Sequence, residues 1–146
     1  MWITEKPINV AKLLKETENK KAGACVVFIG TVREKGENGE VTGITYEAHK
    51  KLAAIRIQEL EKYVETKISD SRCRIIHRIG YIPLGQESIA IIIRTPHRKE
   101  AYKMSRFIID RIKRTVPIWK KEHLKSGVQE WVKGKKLELT DRERCK

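Results

Sequence analysis

Cysteine is scarce. Cys25, Cys73 and Cys145 are the three in 146 residues, an odd number with no close spacing. That excludes a disulfide framework and a cysteine-based zinc site, and no other metal-ligand pattern is present. Cys25 and Cys73 lie in apolar strand-like runs and are expected in the core, whereas Cys145 lies in a charged tail. Aromatic residues make up only 6% of the chain. The strands are expected to lack the exposed aromatic pairs on which sheets stack nucleobases, which weighs against an RNA- or DNA-binding module. No apolar run is long enough to cross a bilayer. The opening MWITEKPINV lacks the apolar stretch of a signal peptide, so a soluble, cytoplasmic protein is expected. Acidic residues are also outnumbered, 19 against 32 Lys and Arg, for a net charge of +13. That balance suits an acidic partner, a phosphorylated ligand or nucleic acid. With no repeat and no linker, residues 1–146 read as one domain able to bury a core.

The elements follow from periodicity and punctuation. Trp2-Ile3-Thr4 reads as a short edge strand and Pro7 to Glu18 as a helix. Ala24 to Val32 is a strand apolar on both faces, hence expected to be buried, with Gly30 marking a close approach. The polar run Glu34–Gly39 contains Asn-Gly, which predicts a hairpin returning through Val41–Glu47. Ala48 to Ile68 is a long helix whose stripe is Ala53, Ile57, Leu60, Val64 and Ile68, with Glu59, Glu61, Lys62 and Glu65 on its solvated faces. Arg72–Ile79 and Ser88–Arg94 are strands, separated by a loop from Tyr81 to Gln86. Trp119–His123 and Val128–Val132 flank Lys125-Ser126-Gly127 as a small hairpin, and the chain from Lys133 onward is expected to fray. The order predicts an α+β two-layer sandwich, a largely antiparallel sheet with helices packed on one side and a C-terminal hairpin.

The segment Thr95–Glu122 concentrates the chemistry. Thr95-Pro96 is a helix start, with Thr95 as N-cap and Pro96 at the first helical position. Ala101, Met104, Ile108 and Ile112 form the apolar face, and Val116-Pro117 ends the helix. His97, Arg98 and Lys99 crowd the positive end of the dipole, which is either an anion site or simply a solvated surface. Lys113 near the C-terminal end is accounted for by the dipole alone. Lys120, after Ile118 and Trp119, can lose hydration and act on protons, or can cover an aromatic ring with its stem.

Five segments, in order, carry a resemblance. GACVVFIGTVRE (23–34), VTGITYEAH (41–49), IIHRIG (75–80), PHRKEAY (96–102) and VPIWKKE (116–122) resemble the catalytic, large subunit of molybdopterin synthase, the MoaE family. The likeness extends over about residues 23–132. It implies the MoaE-like α/β hammerhead fold and a sulfurtransferase. Cyclic pyranopterin monophosphate would receive two sulfur atoms and become molybdopterin with its dithiolene. The sulfur would come from the C-terminal Gly-Gly thiocarboxylate of a small ubiquitin-like MoaD-type carrier. A homodimer within a heterotetramer is implied, with neither a metal nor a resident cofactor. By resemblance, Lys120 is the central catalytic lysine and Lys113 the second. Arg33, His97, Arg98, Lys121 and Glu122 bind substrate, and Thr31 and Val32 offer backbone contacts. Thr31 stands where some members have lysine, and Ile109 where some have methionine, a volume-conserving exchange. Phe28 is either near the pocket or plain core. His49 and His123 receive no role; His77 is expected to be a hydrogen-bonded structural residue. Two other readings remain open, a basic nucleic-acid-binding module and a scaffold that only docks a carrier.

Overall fold

The run ESIAIIIRT forms β6 (Glu87–Thr95), the strand around which the protein assembles. The computed structural model describes residues 1–133. β6 pairs antiparallel with β4 (Arg72–Arg78) on one side and β2 (Ala24–Thr31) on the other. β1 (Ile3–Thr4) adds a parallel edge beyond β4, giving the order β1-β4-β6-β2. Alternate residues of β6 face opposite ways. Ile89, Ile91 and Ile93 pack with Cys73 and Ile75 against α2 (Lys50–Lys67) and α3 (Arg98–Thr115). Ala90 and Ile92 meet Leu13 of α1 (Val10–Glu16) on the other face. Each of these fully buried isoleucines contributes roughly 1.5–3 kcal/mol.

A second four-stranded antiparallel sheet has the order β5-β3-β7-β8, made of Gly80–Pro83, Val41–Ala48, Ile118–Leu124 and Gln129–Trp131. β4 runs directly into β5, and the sheet changes at Gly80, whose φ of 87° a residue with a side chain rarely adopts. Val32, Ile44 and Ile82 form a small core on one face of this sheet, with Tyr46 packed against them. The α+β class is as the sequence implies, but there are two sheets, and α1 lies across the first sheet from α2 and α3.

Other expectations give way to tertiary pairing. β2 and β3 do not form a hairpin, because they belong to different sheets. The Asn-Gly signal closes only a local turn, bridged at Lys35 and Glu40. The segment expected as a loop from Tyr81 begins with β5, whose Ile82 pairs with Ile44; its Pro83 is tolerated at the end of an edge strand. β2 is not buried on both faces. It ends its sheet, and Cys25, Val27, Phe28 and Ile29 are exposed. α1 starts at Val10, capped by Asn9, rather than at Pro7. α2 starts at Lys50 because Ala48 is held in the β3–β7 ladder, and the His49 ring accepts the Leu52 N–H. Thr95 is not the cap of α3: it is paired with Ala24 as the end of β6, and His97 occupies the cap position. The predicted helix stop holds, with Val116 as C-cap. Gly30 does mark a close approach, since an added Cβ would lie 2.9 Å from Ile89 Cγ2. Of the tail expected to fray, residues 134–146 lie outside the described residues.

Two buried polar groups brace the layers. Glu61, expected on a solvated face, is buried and accepts hydrogen bonds from Trp2 Nε1 (2.7 Å) and Ile75 N (2.8 Å). Burial pushes its carboxyl up, while these bonds and nearby Arg74 pull the other way. His77 is the structural histidine expected of it, buried with Nδ1 2.7 Å from Arg78 O and its ring edge-on to Tyr46. Burial lowers its pKa from 6.5 to about 4. The unfolded chain therefore binds this proton first as pH falls. The stability due to neutral His77 is intact above the unfolded value and is lost on descending toward the folded one, on the order of 3 kcal/mol in all. Urea unfolding at neutral and at mildly acidic pH should show wild type losing more stability than His77→Gln, by about 2 kcal/mol. Equal losses would assign the acid sensitivity to other groups.

Candidate active site

Pro117 turns the chain out of α3 and into β7. Within that strand Lys120 pairs with Tyr46 and Glu122 with Ile44, which pairs in turn with Ile82. Directly paired residues share a face, so Lys120 and Glu122 lie on the side carrying the Val32–Ile44–Ile82 core. The turn between β2 and β3 lies on this side too. Glu122, 2% exposed, accepts hydrogen bonds from Glu37 N (2.9 Å), Asn38 N (3.0 Å) and Asn38 Nδ2 (3.1 Å). Val32, also buried, is pinned by its N–H to Gln86 O (3.0 Å) and by Gly85 N to its carbonyl (2.7 Å). Arg33 leaves from that pinned residue, exposed at the base of the turn. Thr31 is exposed just after a register shift between Gly30 and Thr31, the kind of bulge that re-aims a strand end.

Lys121 faces the other way. Its ammonium is 5.0 Å from the Trp131 ring centroid, its partner across the β7–β8 ladder. The same outer face holds Thr45 with His123 (2.6 Å) and the edge-on contact of Tyr81 with His123. Trp119 and Trp131 are both exposed there. The strands therefore do expose aromatics, contrary to expectation, because the outer face of this sheet is covered by no helix among the described residues.

Lys113 is exposed in the last turn of α3, beside the corner that leads to Lys120. His97 and Arg98 are exposed at the other end. At 18 residues α3 is about 27 Å long, so Lys113 and the corner that leads to Lys120 lie at one end of it and His97 and Arg98 at the other. The α3 start carries Glu100 in its first turn and no side-chain cap. Two hollows among the described residues lie elsewhere, one of about 450 Å³ beside Tyr63 and Lys67 and one of about 310 Å³ between Trp2 and Lys51. Phe28 is not plain core; it lies on the exposed edge strand.

Tyr46 was not singled out from its sequence, yet it is Lys120's partner across the ladder. Burial pushes its phenol up, a hydrogen bond with Ser88 pulls it down, and Glu122 raises it further. Gln86, which pins Val32, is itself held by Arg78 at 2.8 Å. Only strand pairing reveals either residue. Among the described residues no group of three His, Cys, Asp or Glu side chains is arranged to hold a metal ion.

Comparison with known proteins identifies the family. The family model described as MoaE protein matches residues 3–115. The molybdopterin synthase catalytic subunit of Bacillus subtilis is 39% identical over 94% of this chain and 87% of its own. That of Thermoplasma volcanium is 39% identical over 88% of this chain and 94% of its own. The crystal structure of molybdopterin synthase from Staphylococcus aureus superposes with a TM-score of 0.84 at 33% identity, covering 90% of this chain and 96% of that one. The chain belongs to the MoaE protein family.

Proposed function

We propose that the chain is the catalytic subunit of a molybdopterin synthase. It would transfer sulfur from the C-terminal thiocarboxylate of a MoaD-type carrier to cyclic pyranopterin monophosphate, forming the dithiolene of molybdopterin. The observation that carries this reading is the shared face of β3 and β7, where Lys120 lies on the side spanned by the Arg33 turn. Lys120 and Lys113 are the groups to move protons and stabilise developing negative charge, and Arg33 suits the substrate's phosphate. Sulfur arrives already activated on the carrier, so the reaction draws on amines and a guanidinium rather than on a resident cofactor. Lys121, stacked on Trp131 across the sheet, is left outside the reacting centre. No helix among the described residues is long and apolar enough to cross a membrane. Cys25 and Cys73 are free thiols, which supports a cytoplasmic location.

A second copy completes the site in this reading. β2 ends its sheet with Val27, Phe28 and Ile29 exposed, and a long apolar edge invites another strand. Gly23, before β2, bonds to Pro96 O (3.2 Å) at the His97 end, whereas Thr31 and Arg33 mark the opposite end. Antiparallel pairing of two β2 strands about a two-fold axis would bring His97 and Arg98 of one copy beside Arg33 of the other.

Lys120→Ala should lower product formation at least about 100-fold while dimer and carrier binding survive, whereas Lys121→Ala should stay within about threefold. Full activity of Lys120→Ala would overturn the assignment. Mixing Lys120→Ala with Arg98→Ala chains should restore about a quarter of wild-type activity, since half the dimers are mixed and each has one intact site. No restoration would place all the groups within one chain. The exposed Trp119 and Trp131 with Lys121 are the observation favouring nucleic acid instead. Oligonucleotide quenching of tryptophan fluorescence that persists at physiological salt would support that alternative.

A further inference from the structure

We infer that Glu122 is a positioning residue, a clamp that holds the Gly36–Asn38 turn and through it aims Arg33 toward the side of the sheet that carries Lys120. The inference rests on the proposed sulfur transfer and assigns Glu122 a role other than touching substrate. Both of its carboxylate oxygens are engaged. Oε2 accepts from Glu37 N, and Oε1 accepts from Asn38 N and from Asn38 Nδ2. The turn backbone lies so close that a Cβ on Gly36 would sit 2.1 Å from Oε2 and 2.6 Å from the carboxyl carbon. Substrate atoms have no room between them. The base of the turn is closed by Val41 N to Glu34 O (2.8 Å) and its tip by Gly36 N to Gly39 O (2.9 Å). The turn is thus a small rigid unit with two attachments, one at the pinned Val32 next to Arg33 and one at Glu122. Glu122 stands two residues from Lys120 on the same face of β7. A buried carboxylate held by three N–H donors is a strong link. Without it the turn is tethered only at its base, and the guanidinium loses its fixed distance from the amine.

The test uses the full chain with its thiocarboxylated carrier and cyclic pyranopterin monophosphate, in Glu122→Ala, Glu122→Gln and Gly36→Ala. Gly36→Ala attacks the same contact from the turn's side and leaves the carboxylate in place. Amide exchange at Gly36, Glu37 and Asn38 should accelerate at least about tenfold in Glu122→Ala and Gly36→Ala, with β6 amides unchanged. KM for the pterin should rise about tenfold or more with kcat within about threefold, and Glu122→Gln, which keeps one acceptor oxygen, should fall between. A collapse of kcat at unchanged KM and unchanged exchange would overturn the inference, because the carboxylate would then act on the reacting atoms. Accelerated exchange with unaltered kinetics would overturn it equally, since the turn would have no hold on Arg33. If wild type forms no product the sulfur-transfer reading fails, while the exchange measurement still decides whether the clamp exists.

Discussion

The ladder between β3 and β7 is the constraint on which the site depends. It begins where Pro117 ends α3, pairing Ala48 with Ile118, and it continues to Val41 and Leu124. One register decides three things together: that Lys120 lies across from Tyr46, that Glu122 reaches the turn after β2, and that Lys121 is turned to Trp131. The ladder is itself held by the first sheet. His77 touches Tyr46, and the Val32 pin at Gln86 ties the end of β2 to the start of β6. The site is therefore carried by the joint between two sheets, not by a loop hung on one of them.

The cations assigned to the substrate lie far apart along this frame. A net charge of +13 would be a diffuse attraction if the cations were scattered. Of those assigned to the substrate, Lys113 stands near the corner and His97 with Arg98 at the start of α3, with Lys103, Arg106 and Arg111 between them. A helix this long separates them by more than two Debye lengths at physiological salt. In the proposed function they would act on one small anion only if two chains combine. The apolar edge of β2, costly to leave in water, lies beside the helix that spans the same interval.

Local signals in the sequence were legible where one element's own chemistry decides it. The isoleucine run of β6, the stop at Val116-Pro117 and the Ser126-Gly127 turn of the last hairpin all stand as read. What was not legible is which strand meets which. Asn38-Gly39 is a genuine turn signal, but it closes a hairpin too short to decide sheet membership. Pro83 and Gly85 read as loop and concealed β5. Glu61 sits next to the apolar stripe of α2, and only the arrival of Trp2 and β4 explains its burial. For the site, the residue types were readable through family likeness, and the separation of Lys120 from Lys121 follows from strand alternation alone. The occupation of Glu122 by a turn some eighty residues earlier follows from no local pattern.

The doublet Lys120-Lys121 has a consequence for how this strand tolerates error. A one-residue slip of β7 toward the proline corner would exchange its two faces, yet the amine of Lys121 would stand where Lys120 stands now. The slipped strand would keep its charge and lose its anchor, because Glu122 would turn outward. A one-residue deletion at the corner is thus screened chiefly by the acid and hardly at all by the lysines, whereas an insertion would set Trp119 in the place of Lys120.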